Sequence, residues 1–172
     1  MTTCPSTALE QTILDRSACI GIIGLGYVGL PEAVMFAQAG FPVTGFDVDP
    51  ERVNKVNAGE SYISDVSSEV LASLVSTRRL RATHMPSSSP PVGSAPSDAL
   101  NNSRTQELNN VLRDQDCLCI CVPTPLRKTR DPDISFIVSA VQGFQKQLRP
   151  GQLIILESTT YPGTTEEVVQ PM

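Results

Sequence analysis

Three glycines stand in a G-x-G-x-x-G run, Gly24-Leu25-Gly26-Tyr27-Val28-Gly29. The run closes a short apolar segment, and a second apolar segment ends at Asp47, about twenty residues after the first glycine. In this arrangement Gly24 lets the chain turn sharply out of a strand. Gly26, lacking a Cβ, lets the backbone approach a pyrophosphate, and Gly29 lets the following helix pack closely on the strand. The helix N-terminus then offers free N–H groups and the positive end of its dipole to phosphate oxygens. A carboxylate at Asp47 can accept hydrogen bonds from both hydroxyls of an adenosine ribose, and it repels a 2′-phosphate. The expected cofactor is therefore NAD rather than NADP. The competing reading of Asp47 as a helix cap is weakened by Asp49, which is better placed to cap.

Other chemistry-bearing residues keep two readings each. Arg52 either covers the adenine ribose or a phosphate, or is a solvated surface arginine. Thr124 sits between Pro123 and Pro125. It either approaches the nicotinamide half of a cofactor or belongs to a rigid turn. Glu157 to Thr165 (ESTTYPGTT) has the composition of a phosphate or sugar loop, but also of a capped helix start, with Thr164 or Thr165 as the cap. Cys117, Cys119 and Cys121 alternate along one apolar run. Residues at i and i+2 of a strand point the same way but do not meet disulfide geometry, so buried thiols in a core strand are expected. A metal site would need paired C-x-x-C spacing, and His84 is the sole histidine. No metal is expected.

These residues need elements to hold them. Strands are expected at 18–23, 41–47, 80–83, 117–122 and 152–157. Helices are expected at 27–39, ending at Gly40, at 50–58, opened by Asp49-Pro50 and ended by Gly59, and at 67–76 and 105–113. A further helix starts at Asp131-Pro132-Asp133 and runs toward Leu148, and another begins at 166–170. The alternation of strand and helix predicts a Rossmann-like, doubly wound parallel sheet covered on both faces, with ligands beyond the carboxyl ends of the strands. Residues 1–16 read as a loose tail and 17–172 as one nucleotide-binding domain. Residues 84–104, rich in serine and proline, read as a mobile surface insert.

With 40% hydrophobic residues the chain can bury a core. Its net charge of −5 argues against nucleic acid or an anionic membrane as partner. It has neither an apolar run of spanning length nor a secretory leader, so a cytoplasmic protein is expected.

Several motifs together resemble the NAD-binding N-terminal domain of the UDP-glucose/GDP-mannose dehydrogenase family. They are GLGYVGLP at 24–31, VTGFDVDPERV at 43–53, NAGESYI at 57–63, LRAT at 80–83, ICVPTPL at 120–126, DPDIS at 131–135 and RPGQLIILESTTYPGTTEEV at 149–168. The last is most similar to the branch acting on UDP-N-acetylhexosamines. Many dehydrogenases of the β-hydroxyacid type share a G-L-G-x-x-G opening, but the VPTP and ESTTYPGTT loops argue against that reading. The resemblance implies oxidation of a sugar C6 alcohol to a carboxylate in two NAD-dependent steps, with a UDP-sugar as substrate. It implies that Tyr27 and Val28 meet the pyrophosphate through the loop backbone and that Asp47 and Arg52 hold the adenosine ribose. Thr124 and Thr165 would line the nicotinamide side, and Glu157 would act as an acid/base or order water. The family's nucleophilic cysteine, central helix and C-terminal domain have no counterpart in these 172 residues. The resemblance therefore implies a truncated product, inactive alone, with homodimerisation dependent on that central helix.

Overall fold

Five short apolar segments form one sheet in the computed structural model, which describes residues 5–86, 98–127 and 131–172. They are β1 (Ile20–Ile23), β2 (Val43–Asp47), β3 (Leu80–His84), β4 (Cys117–Ile120) and β5 (Leu153–Leu156). The order across the sheet is β3-β2-β1-β4-β5, and every pair is parallel. The chain builds outward from β1 to β3, then crosses back to lay β4 on the other side of β1. This is the expected doubly wound arrangement. Its crevice opens beyond the carboxyl ends of β1 and β4, where the winding reverses.

Alternation along the strands feeds two cores. Ile20, Ile22, Cys117 and Cys119 meet Leu30, Ala33 and Ala37 of α2 (Gly29–Gln38), Val53 and Val56 of α3 (Pro50–Ala58) and Leu71 of α4 (Ser68–Ser76). On the opposite face Ile23, Phe46, Leu118 and Ile120 meet Leu108, Leu112, Ile137, Val141 and Phe144. Leu108 and Leu112 belong to α5 (Asp98–Arg113), and the last three to α6 (Ser135–Phe144). Among the described residues no helix is long and apolar enough to cross a membrane.

Local signals set the helix ends. The Asp49 carboxylate accepts the Glu51 N–H, Pro50 occupies the first turn, and Gly59 closes α3 in the left-handed conformation at φ 75°. Ser67 caps α4 by accepting the Val70 N–H.

The structure departs from expectation in four places. Residues 5–14 of the supposed loose tail form a helix, α1 (Pro5–Leu14). Leu9 packs on the core, the Thr12 carbonyl accepts the N–H groups of Ser17 and Ala18, and Arg16 donates to the Ala39 carbonyl. Tertiary contacts hold this segment, which carries no clear apolar stripe. The expected mobile insert is ordered at both ends. His84 pairs with Asp47 at the end of β3, Met85 is buried, and residues 98–104 open α5. Residues 87–97 of that insert lie outside the described residues. Asp131-Pro132-Asp133 does not start a helix. Pro132 bridges Leu126, and the Asp133 carboxylate accepts the Ser135 N–H, so α6 begins at Ser135. Finally, the helix at 166–170 is a π-helical turn, Thr165–Val169.

Candidate functional site

The first glycine makes the turn. Gly24 has φ +96°, and its N–H donates to the Phe46 carbonyl at 2.7 Å, tying the turn to β2. A Cβ on Gly29 would collide with the Gly24 carbonyl oxygen. That close approach lets α2 start directly above the end of β1. Gly26 differs from both, because a Cβ there would meet nothing within 4 Å. Protein packing therefore gives no reason for a glycine at this position, and Gly26 borders a cleft of about 550 Å³. No side chain caps α2 at Val28, so its N-terminus is free to face an anion.

The cleft gathers the ends of β1, β2, β4 and β5. Gly24, Gly26, Tyr27, Val28, Asp47, Arg52, Thr124 and Glu157 all border it. Gly29 does not border it; its close approach is to the Gly24 carbonyl. Thr165 does not reach the cleft. With Thr160 to Glu166 it borders a separate depression, because the Thr164 hydroxyl turns back onto the Tyr161 carbonyl at 2.8 Å. Neither Thr164 nor Thr165 serves as a side-chain helix cap.

Asp47 is 4% exposed, and both carboxylate oxygens are engaged. Oδ2 accepts the Leu25 N–H at 2.7 Å, and Oδ1 accepts the Asp49 N–H at 2.8 Å. The residue thus braces the glycine loop while standing at the cleft, and capping falls to Asp49. Arg52 lies 3.6 Å from Asp47 and 3.6 Å from Asp49, with its guanidinium 5.9 Å from the centre of the Tyr62 ring. It is neither a lone surface charge nor fully committed. Tyr27 projects its side chain into solvent, 82% exposed.

Tyr62, Glu32 and Ser158 carry parts of the site that spacing alone does not announce. The Tyr62 hydroxyl donates to the Leu25 carbonyl at 2.6 Å. Ser158 donates to the Val122 carbonyl at 2.8 Å, joining the loops after β4 and β5. Glu32, in the first turn of α2, accepts the Cys121 thiol at 2.9 Å. Glu32, Cys121 and Glu157 bring ligand atoms within 4.8 Å of one another, the grouping among the described residues with the makings of a metal site. Burial, together with the nearby Glu157 charge, pushes the Glu32 carboxyl up. His84, the other residue considered for a metal, faces the Val48 carbonyl instead.

Three of the described cysteines are core thiols. Cys117, Cys119 and Cys121 are buried. Burial pushes Cys119 up to about 12 and raises Cys117 and Cys121 as well. Half-buried Cys19 is raised for the same reason. A raised thiol holds its proton, so reactive thiolate is scarce near neutrality. In a Cys4→Ser background at pH 8, the native thiols should react with an aromatic disulfide reagent roughly a hundredfold more slowly than in guanidinium. Matching native and denatured rates would contradict this burial.

Known proteins share this architecture. Residues 18–92 and 94–172 match the family described as UDP-glucose/GDP-mannose dehydrogenase family, NAD binding domain. A UDP-N-acetyl-D-mannosamine dehydrogenase of Pyrococcus horikoshii is 32% identical over 152 residues, which cover 88% of this chain and 31% of the relative. One from Escherichia coli K12 is 33% identical over 153 residues, 89% of this chain and 30% of the relative. A GDP-mannose dehydrogenase from Pseudomonas aeruginosa, solved as a ternary complex, superposes with a TM-score of 0.70 at 28% identity. It covers 88% of this chain and 31% of its own. The chain thus spans under a third of the length of these relatives.

Proposed function

The chain belongs to the UDP-glucose/GDP-mannose dehydrogenase family through that family's NAD binding domain, and from this premise we propose that it is the cofactor-holding part of a nucleotide-sugar 6-dehydrogenase. The observation that carries the reading is the glycine at 26, which borders the cleft at a position where a side chain would meet nothing within the protein. The residues present fit NAD. The uncapped start of α2 and the backbone of Tyr27 and Val28 receive the pyrophosphate. Asp47 and Arg52 receive the adenosine ribose. Thr124 and Glu157 stand at the other end of the cleft, on the loops after β4 and β5, where the nicotinamide half and the substrate alcohol meet. NAD, when bound, supplies the hydride acceptor. Thr165 keeps a role only if its loop moves toward the cleft, since it stands apart from it. The relatives named for UDP-N-acetyl-D-mannosamine support a UDP-N-acetylhexosamine as the substrate.

NAD is favoured over NADP. A 2′-phosphate would bring further negative charge against the Asp47 carboxylate. Arg52, which could offset it, is already shared between Asp47 and Asp49 at 3.6 Å each. Calorimetric titration should show NAD binding tighter than NADP, and equal or tighter NADP binding would overturn the reading. Asp47→Ala should weaken NAD binding by about 1–3 kcal/mol through lost charge-assisted hydrogen bonds. The same variant should also melt earlier, because it releases the buried Leu25 N–H.

A further inference from the structure

We propose that Tyr62 is a positioning residue of the glycine loop, whose hydroxyl fixes the Leu25–Gly26 peptide so that the Gly26 N–H is turned toward the cofactor pyrophosphate. The inference rests on the dinucleotide reading above and adds to it a residue outside the G-x-G-x-x-G run.

The geometry of one peptide bond carries the argument. Tyr62 lies in the loop between α3 and α4 and donates to the Leu25 carbonyl oxygen at 2.6 Å. The Leu25–Gly26 peptide is trans, as are all the described peptide bonds. A trans peptide points its N–H away from its C=O. Fixing the Leu25 carbonyl on Tyr62 therefore fixes the Gly26 N–H on the opposite side. Gly26 borders the cleft and Tyr62 does not.

This peptide is the one most in need of holding. Gly26 has no Cβ to restrict its rotation, and nothing would stand within 4 Å of one. A rotated peptide would present a carbonyl oxygen, rather than an N–H, to a phosphate. Asp47 secures the preceding peptide through the Leu25 N–H. Tyr62 secures the following one, so Leu25 is gripped at both its backbone groups. Its side chain is fully buried. The Tyr62 ring is held in turn by Arg52, whose guanidinium lies 5.9 Å from the ring centre. Burial raises the phenol to about 12, so the hydroxyl remains a donor at neutral pH.

Tyr62→Phe removes the hydroxyl and leaves the ring beneath Arg52. Titrations of the full chain with NAD, ADP and adenosine separate positioning from general support. NAD and ADP, which carry the pyrophosphate, should bind roughly threefold to tenfold more weakly to the variant. Adenosine, which carries no phosphate, should bind both proteins alike. Tyr62→Leu, which also removes the ring, should lose at least as much NAD affinity and lose adenosine affinity too. Unchanged NAD binding in either variant overturns the inference. So does an equal loss for NAD and adenosine in Tyr62→Phe, which marks a merely structural role. A wild-type chain that binds no NAD overturns the dinucleotide reading, and this inference with it.

Discussion

Gly26→Ala should fold as the wild-type chain does and bind NAD at least about tenfold more weakly, whereas Gly29→Ala should lose the fold's stability itself. The two positions belong to one motif, yet opposite physics fixes them. At Gly29 a methyl group would sit on the Gly24 carbonyl oxygen, and the Cys121 side chain would be 3.2 Å away. Backbone of the preceding turn cannot withdraw without pulling Gly24 off β2, to which it is hydrogen-bonded at 2.7 Å. The expected cost is about 3 kcal/mol, the upper range for overpacking. At Gly26 the methyl meets nothing in the protein, and the backbone there is not left-handed. Its stability should therefore stay within about 0.5 kcal/mol of wild type. On the proposed reading the methyl would occupy the surface over which the pyrophosphate comes close, lengthening hydrogen bonds to a charged group. Each is worth about 1.5–3 kcal/mol. Thermal melting and NAD titration of both variants check the contrast. A Gly26→Ala protein that keeps full affinity would show that the open space is not where the phosphates sit.

The same contrast explains what the sequence could reveal. Gly24, Gly29 and Asp47 are legible because their tasks are local and spaced by the geometry of one β-α-β unit. The parallel pairing of the sheet follows from the same alternation, since parallel strands need helical crossovers. Long-range contacts leave no such spacing. Tyr62 reaches Leu25 from 37 positions away, and Glu32 reaches Cys121 from 89. Both look ordinary in their own segments. α1 escapes notice for a related reason. Its order comes from Leu9 on the core and from the backbone that follows it, not from an apolar stripe. Thr165 stands apart from the cleft. A hydroxyl-rich loop past a strand suggests a ligand, but the Thr164–Tyr161 bond folds that loop on itself. Serine and proline composition likewise suggested disorder from His84 onward, and it misses the ladder that carries β3 through His84 and the apolar site that buries Met85.

Purified as it stands, the 172-residue chain should form no sugar carboxylate from UDP-N-acetylglucosamine or UDP-N-acetylmannosamine. Conversion of a C6 alcohol to a carboxylate removes two hydrides, each taken by one NAD. The first leaves an aldehyde, which is a poor hydride donor by itself. In the family chemistry a cysteine thiolate adds to the aldehyde carbon, and the adduct then gives up its hydride to become a thioester. Water cleaves that ester, returning the thiol and releasing the acid. The described cysteines are unsuited to this task. Cys117 and Cys119 are enclosed between β4 and α2, and burial holds Cys119 near 12. Cys121 borders the cleft, but it is buried and its proton is directed at the Glu32 carboxylate 2.9 Å away. Deprotonating it would place a thiolate beside Glu32 and Glu157, and those two carboxylates raise the thiol further. Cys19 precedes β1, at the end of the sheet opposite the cleft. Thr124 and Glu157 can orient a hydroxyl or accept a proton, but neither can carry a thioester. Mass analysis of either sugar nucleotide, incubated at saturating NAD, should show no gain of the acid. Accumulation of the acid that Thr124→Ala or Glu157→Gln abolishes would show that these residues suffice for both oxidations, and the assignment of the chain to cofactor holding would fail.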